Sequence, residues 1–218
     1  MSKLIIFGTG QLAEVAFYYF TKDSPYKVEA FVIDDDFVKE NLFQNKPLIP
    51  FSDLNANNFK STEYSFFVAI GYSKMNDLRK KKYFDIKTLG YKFVNYISSK
   101  SSIFTDKIGE NCFILENNVV QPYVIIKDNV TLWSGNHIGH HSVIESHVFI
   151  SSHVVISGNC HIGESTFIGV NSSIANGVKI GKSNFLNLNT CIKKDTADNS
   201  VFNSKQSEVL KINSKILL

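Results

Sequence analysis

From Ile108 to Ile192 an aliphatic residue returns at every sixth position: Ile108, Ile114, Val120, Ile126, Leu132, Ile138, Ile144, Ile150, Ile156, Ile162, Ile168, Ile174, Ile180, Leu186 and Ile192. A helix repeats its apolar positions near 3.6 residues and a strand near 2, and neither produces a strict six. Six residues per short strand and corner is the period of a parallel β-helix, in which each aliphatic side chain stacks on its equivalent in the next coil. The residue four later in each unit is small or β-branched (Val124, Val130, Ser142, Val148, Val154, Thr166, Ser172, Val178, Thr190), as a second inward position near a corner requires. Glycines follow the aliphatic residue at Gly109, Gly139, Gly163, Gly169 and Gly181, where bulk would crowd the turn. Three units per turn give about five coils spaced by roughly 4.8 Å.

The first 97 residues follow a different code. Lys3–Phe7 is a continuous apolar run of the kind buried in a parallel sheet, followed by Gly8-Thr9-Gly10-Gln11-Leu12-Ala13 and an apolar-periodic stretch from Val15 to Phe20. Strand, glycine turn and helix in this order fit G-x-G-x-x-A, which lets backbone approach a phosphate at a helix N-terminus. Val28–Ile33 is a second strand and runs into Asp34-Asp35-Asp36, at the distance where a Rossmann-like unit holds a ribose. Pro47–Pro50 reads as an edge connection, Phe66–Ile70 as a buried strand closed by Gly71, and Lys92–Tyr96 as a returning strand. Met75–Leu89 reads as a helix whose Arg79-Lys80-Lys81-Lys82 run is a solvated face.

The expected architecture is an α/β Rossmann-like domain over residues 1–97 followed by a β-helix over 98–218. Ser98–Ser102 is the linker, and the tail, above all Ser207–Leu218, packs over the last coil.

Composition narrows the chemistry. A formal net charge of +3 with scattered basic residues gives no reason to expect nucleic acid or an anionic membrane as a partner. The 22 lysines against the single Arg79 read as a composition bias. Met1-Ser2-Lys3 leads directly into a strand, so no signal peptide is expected, and a cytoplasmic protein follows. Cys112, Cys160 and Cys191 are expected as reduced packing residues, the first two at the small inward position.

All six histidines fall between His137 and His161. Zinc-binding carbonic anhydrases of this architecture place two histidines five apart; no pair here has that spacing, and no metal is expected. Acid–base chemistry fits better. His140 and Gly158 lie 18 residues apart and share a column on adjacent coils, which sets a base beside a backbone amide able to receive an oxyanion. His141, His147 and His153, at the fourth position of their units, and His137 and His161, at the sixth, are expected to face outward.

A glycine-turn α/β domain followed by hexapeptide coils resembles the NeuD/PglD-type sugar acyltransferases, which include perosamine N-acetyltransferase-like enzymes, over nearly the whole chain. The family's I-x-H-[DE]-x-V-I-G is similar to Ile138-Gly139-His140-His141-Ser142-Val143-Ile144-Glu145. Its S-G-N-x-x-I-G is similar to Ser157-Gly158-Asn159-Cys160-His161-Ile162-Gly163, and its [FL]-[LI]-G-x-[NG] to Phe167-Ile168-Gly169-Val170-Asn171.

The resemblance implies a left-handed β-helix, a homotrimer and acetyl-CoA as acyl donor. The implied acceptor is a nucleotide-linked amino sugar, a 4-amino-4,6-dideoxyhexose, destined for a surface glycan such as an O-antigen. It implies His140 as general base, with His141 beside it, and the Gly158 amide at the thioester oxygen. Gly169 and Val170 would meet the pantetheine arm, with Trp133 in the same groove. Gly8, Thr9, Gly10, Asp34 and Asp35 would hold the nucleotide, with Gly71 in the same crevice. Two departures stand out. The acid that follows the family's histidine is His141 here, and a further family histidine aligns with Phe149. The partner that orients His140 is left open between a backbone carbonyl, Glu145, a neighbouring subunit and His141. Two rival readings also remain, O-acetylation as in sialic acid modification and a non-catalytic nucleotide-binding trimer; an NAD-linked enzyme lacks its substrate domain.

Overall fold

The structure is a computed structural model that describes residues 2–54, 59–209, 211, 212 and 215. Its N-terminal part is one sheet with a helix on each side. β1 (Ser2–Phe7), α1 (Gln11–Lys22), β2 (Tyr26–Ile33), β3 (Leu42–Phe43), β4 (Lys46–Pro50), β5 (Tyr64–Val68), α2 (Asp77–Thr88) and β6 (Lys92–Phe93) follow in sequence. The sheet order is β3-β4-β2-β1-β5-β6, parallel except for the β3–β4 pair. β1 and β5 carry unbroken apolar runs because helices or coil cover both their faces; Leu4, Ile5 and Ile6 are fully buried. Lys46–Pro50 is a paired strand rather than a connection: Leu48 to Pro50 lie in register with Phe31 to Ile33. Its two prolines are tolerated near the sheet margin, where β3 adds only a two-residue antiparallel edge.

The rest is a left-handed parallel β-helix of three sheets. Tyr96–Ile97 already pairs with Phe113–Ile114, and Ser102–Ile103 with Val119–Val120, so the coils begin ahead of and within the segment read as a linker. From Phe113 on, each unit contributes a two-residue strand whose second residue is the recurring aliphatic one, and these stack in three columns, one per sheet, that fill a single core with Cys112, Val124, Val148 and Cys160 beside them. Burial pushes the Cys112 thiol up to about 12, which fits an inert packing residue; Cys191 faces out. Three residues after the aliphatic position the chain turns in the left-handed region, at Asn111, Asn117, Tyr123, Asn129, His141, His147, His153, Asn159, Ser165, Asn171, Ser183 and Asn189. Asparagine is favoured there because its side chain tolerates positive φ.

The outward strand residues distinguish the three faces. One face presents Phe113, Thr131, Phe149, Phe167 and Phe185; the second presents Val119, His137, Val155, Ser173 and Cys191; the third presents Ile125, Val143, His161 and Lys179. The N-terminal domain covers the phenylalanine face. Tyr72 packs on Phe149 and Phe167 with ring centroids 5.0 and 4.3 Å away, and Phe67 and Tyr96 pack on Phe113.

Helix α2 covers one end of that face, and here the expected solvated run is corrected. Arg79 is 1% exposed and Lys82 6%. The Arg79 guanidinium donates to the carbonyls of Asn129, His147 and Val148, to Thr131 Oγ1 and to Asn76 Oδ1. The cap of the last coil also differs. Asp195, Thr196 and Asp198 take the amides of Lys179, Gly181 and Lys182, and Val201–Phe202 adds a strand beside Phe185–Leu186. With the open end closed there, Ser207–Val209, Lys211 and Ile212 stay exposed; Leu210, 213–214 and 216–218 lie outside the described residues.

Candidate active site

The corner that follows the His137 strand is Gly139-His140-His141-Ser142. Its backbone is locked on both sides. His140 N–H donates to Gln121 Oε1 at 2.9 Å, His141 N–H to the Pro122 carbonyl at 3.3 Å, and the His140 carbonyl accepts from Asn159 N–H at 2.8 Å. Ser142, fully buried, donates to the Ser157 carbonyl and accepts from the Cys160 amide, both at 3.1 Å.

The ring of His140 lies over Gly158. A Cβ placed on that glycine would meet His140 Cε1 at 2.6 Å and Nε2 at 2.7 Å, so any side chain at 158 displaces the ring. The Gly158 amide is also open. The equivalent amide one coil earlier, that of His140, is taken by Gln121, 19 residues before it; 19 residues before Gly158 stands Gly139, which has no side chain to offer. A Cβ on Gly139 would sit 2.5 Å from the Gly158 nitrogen. No acceptor among the described residues takes this amide. A base nitrogen and an unused N–H donor thus share one spot.

His140 Nδ1 and His141 Nδ1 are 3.1 Å apart, with the two rings near perpendicular at 86°. Tyr123, from the coil before, packs on His141 at 4.6 Å. Glu145 does not orient His140: its carboxylate bonds His161 Nε2 at 3.1 Å and makes no hydrogen bond to the His140 ring.

Of the other histidines, His137 is half-buried on its strand and His153 is exposed, as expected. His147 points out of the coil as expected but is covered: it is 2% exposed, bonded to Asn129 at 2.8 Å and packed against Tyr83 and Phe84 of α2. Burial, with Arg79 nearby, lowers its pKa to about 4. Among the described residues no three His, Cys, Asp or Glu side chains group as metal ligands do.

Gly169, Val170 and Trp133 occupy a different corner, at the opposite edge of the His137 face from His140. Val170 is exposed there; Trp133 packs instead against the N-terminal domain. A groove of about 500 Å³ lined by Leu12, Val15, Gly71, Tyr72, Trp133 and Phe149 separates the two domains. A single chain therefore joins His140, His141 and Gly158 but does not bring Gly169, Val170 or Trp133 to them.

The second predicted cluster does converge. Gly8, Thr9, Gly10, Asp34 and Gly71 line a crevice of about 420 Å³ at the C-terminal ends of β1, β2 and β5, where the strand order reverses direction. Gly8 has φ of 122°, and a Cβ there would strike the Ala69 carbonyl at 2.8 Å. Helix α1 opens at Gly10 without a side-chain cap, which leaves first-turn amides facing the crevice. Asp34 is ion-paired with Lys82, whose ammonium lies over the rings of Phe7 and Phe51. Asp35 does not line this crevice; it lies in an adjoining hollow with Asp36, Ser52 and Lys81, and hydrogen bonds from Ser52 hold its carboxyl below the usual range.

Sequence reasoning missed Tyr72, Asn76, Arg79, Lys82 and Gln121. Their signals were weak: one arginine among lysines, and phenylalanines recurring 18 residues apart.

Fold and site combine an α/β sheet domain carrying a glycine-lined crevice with a parallel β-helix carrying the His140 corner. Residues 3–86 match the family described as the PglD N-terminal domain, and residues 107–140 match the bacterial transferase hexapeptide (six repeats). The chain is thus similar to PglD-type proteins over its N-terminal domain and to hexapeptide-repeat transferases over its early coils. Its fold is shared with the acetyltransferase domain of PglB from Neisseria gonorrhoeae FA1090, at 22% identity over 92% of this chain and 96% of that one, TM-score 0.77. PerB from Caulobacter crescentus, solved in complex with CoA and GDP-perosamine, is 19% identical over 92% and 93%, TM-score 0.68. WeeI from Acinetobacter baumannii AYE is 17% identical over 92% and 96%, TM-score 0.77.

Proposed function

We propose that the protein transfers acetyl from acetyl-CoA to the amine of a nucleotide-linked amino sugar. The observation that carries this is the His140 ring lying over Gly158 beside an unused amide. The sugar amine, once neutral, attacks the thioester carbon and forms the C–N bond. Its proton passes to His140 Nε2, the Gly158 N–H receives the oxyanion, and the C–S bond breaks. The imidazolium proton then passes to the departing CoA thiolate. The PglB domain solved with acetyl coenzyme A and PerB solved with CoA and GDP-perosamine support both substrate classes. By resemblance the sugar is a 4-amino-4,6-dideoxyhexose. The crevice at Gly8, Thr9, Gly10, Asp34 and Gly71, with Asp35 in the adjoining hollow, would hold the nucleotide on the α1 N-terminus. Because the acyl donor is a cytosolic metabolite, we place the activity in the cytoplasm.

The separation of His140 from Val170 favours a shared site. Their corners flank the His137 face, so a homotrimer that turns this face to its axis would set His140 of one chain beside Gly169, Val170 and Trp133 of the next. Acetyl transfer to a panel of UDP-, dTDP- and GDP-linked amino sugars, with hydroxyl analogues as controls, tests the reaction. Turnover of one amine acceptor supports it; transfer only to hydroxyls, or none with CoA bound, refutes it. Sedimentation as a 24.6 kDa monomer under assay conditions would remove the shared groove.

A further inference from the structure

We propose that His141 replaces the missing carboxylate as the positioning residue of the base: its Nδ1 accepts the Nδ1–H of His140 and so holds His140 in the tautomer whose bare Nε2 faces Gly158. The inference rests on the reading of His140 as the base.

Two imidazole nitrogens at 3.1 Å need one hydrogen between them. With a hydrogen on both they repel, and with none there is no bond. Two arrangements remain. If His141 donated, His140 would carry its own hydrogen on Nε2, the atom over Gly158, and could not take a proton there. If His140 donates, its Nε2 lone pair is presented where the amine must lose its proton, and His141 carries its hydrogen on the far nitrogen, Nε2.

The corner is built to hold this pairing. The left-handed backbone of His141, φ 58°, turns its ring back onto His140. The Tyr123 ring fixes the outer side of His141 at 4.6 Å and a 36° tilt. The ring of His140 is held over Gly158. Gln121 and Asn176 around the pair are neutral, and the Glu145 carboxylate is engaged by His161. Tyr123 is the one further titratable side chain in contact with either ring among the described residues.

A neutral acceptor differs from a carboxylate in one respect that can be measured. Both fix the tautomer, but only the carboxylate adds a negative charge that stabilises the imidazolium. A carboxylate at 141 should therefore keep the base oriented yet move the acid limb of the rate profile to higher pH.

The test is nitrogen-15 NMR of the histidines in the full-length protein at pH 8, with steady-state kinetics on the same samples. In wild type, His140 is expected to show a protonated Nδ1 and a bare Nε2. His141→Phe should lose that signature and lower kcat/KM roughly tenfold with little change in either KM. His141→Glu should restore the signature and the high-pH rate while shifting the acid limb upward by about one pH unit. A wild-type His140 protonated at Nε2 overturns the proposal, as does a His141→Phe variant with the wild-type signature and rate. The NMR signature needs no turnover, so it is read whether or not the chain transfers acetyl, and the pairing and the proposed reaction fail separately.

Discussion

His141 and His147 occupy the same slot of consecutive units, with the same left-handed backbone at φ 58° and 66°, yet they live in opposite environments. His141 is exposed and bonded to a second histidine; His147 is 2% exposed, neutral and bonded to Asn129 beneath α2. Nothing in the hexapeptide accounts for this. The unit fixes the backbone and the direction of each side chain, while exposure depends on which of the three corners receives the N-terminal domain. Arg79 marks that corner, donating five hydrogen bonds around His147, and the opposite arrangement leaves the His140 corner open to reactants. One repeated turn thus serves as a structural joint at one corner and a candidate catalytic site at the next.

If the open corner is the reactive one, its removal should have the largest effect. His140→Asn is expected to lower kcat/KM on the order of 10²–10⁴-fold, roughly 3–5 kcal/mol of transition-state stabilisation, with both substrates still bound. Unfolding midpoints should stay near wild type, because the His140 side chain is exposed. Titration calorimetry with CoA and the sugar nucleotide separates lost chemistry from lost binding. A His140→Asn variant within tenfold of wild type would mean that positioning alone drives the transfer.

The contrast between corners also explains what the sequence disclosed. The coil was legible because burial repeats without interruption: Ile114, Leu132, Ile150, Ile168 and Leu186 must all fill one narrow interior. The pairing of His140 with Gly158 was legible for the same reason, since an 18-residue offset is a spatial neighbour in any such coil. The covered face was written less plainly. Phe113, Phe149, Phe167 and Phe185 recur at multiples of 18 and would have marked it, had outward positions been sorted by face rather than read as one column. Arg79 and Lys82 misled because a basic run on a helix is ordinarily solvated; only the tertiary contact, with carbonyls of three coil residues waiting for donors, buries the arginine. The left-handed run Lys74-Met75-Asn76 that delivers Asn76 to the Ser165 carbonyl leaves no mark in residue type that local propensity could read.

Arg79→Leu tests the covered corner from the other side. It should remove about 3 kcal/mol of stability, because the carbonyls of Asn129, His147 and Val148 would lose their donors while still buried. Arg79→Lys should recover only part of this, since an ammonium cannot span the same fork of acceptors. Urea unfolding at neutral pH reads both. Rates measured well below the transition should remain close to wild type in either variant, as Arg79 lies on the far side of the coil from His140. A loss below about 0.5 kcal/mol for Arg79→Leu would show that the phenylalanine face alone holds the domains together.

The smallest expected effect comes from acid, and it isolates the covered histidine. His147 has a folded pKa of about 4 against 6.5 for the free side chain, caused first by burial and then by the Arg79 charge. Its folded value is depressed, so the unfolded chain binds a proton first. Stability is at its full value above pH 6.5 and falls as the pH drops from there towards 4. Between pH 7.5 and 5 the loss attributable to this residue should be about 2 kcal/mol. His147→Asn gives up the contact with the α2 aromatic rings and is expected to be less stable at pH 7.5, yet its stability should vary less over this interval than that of wild type. Urea midpoints for the two proteins at the two pH values decide the matter. An unchanged slope in His147→Asn would place the acid sensitivity elsewhere and would remove the proton-binding difference between the covered and the open corner.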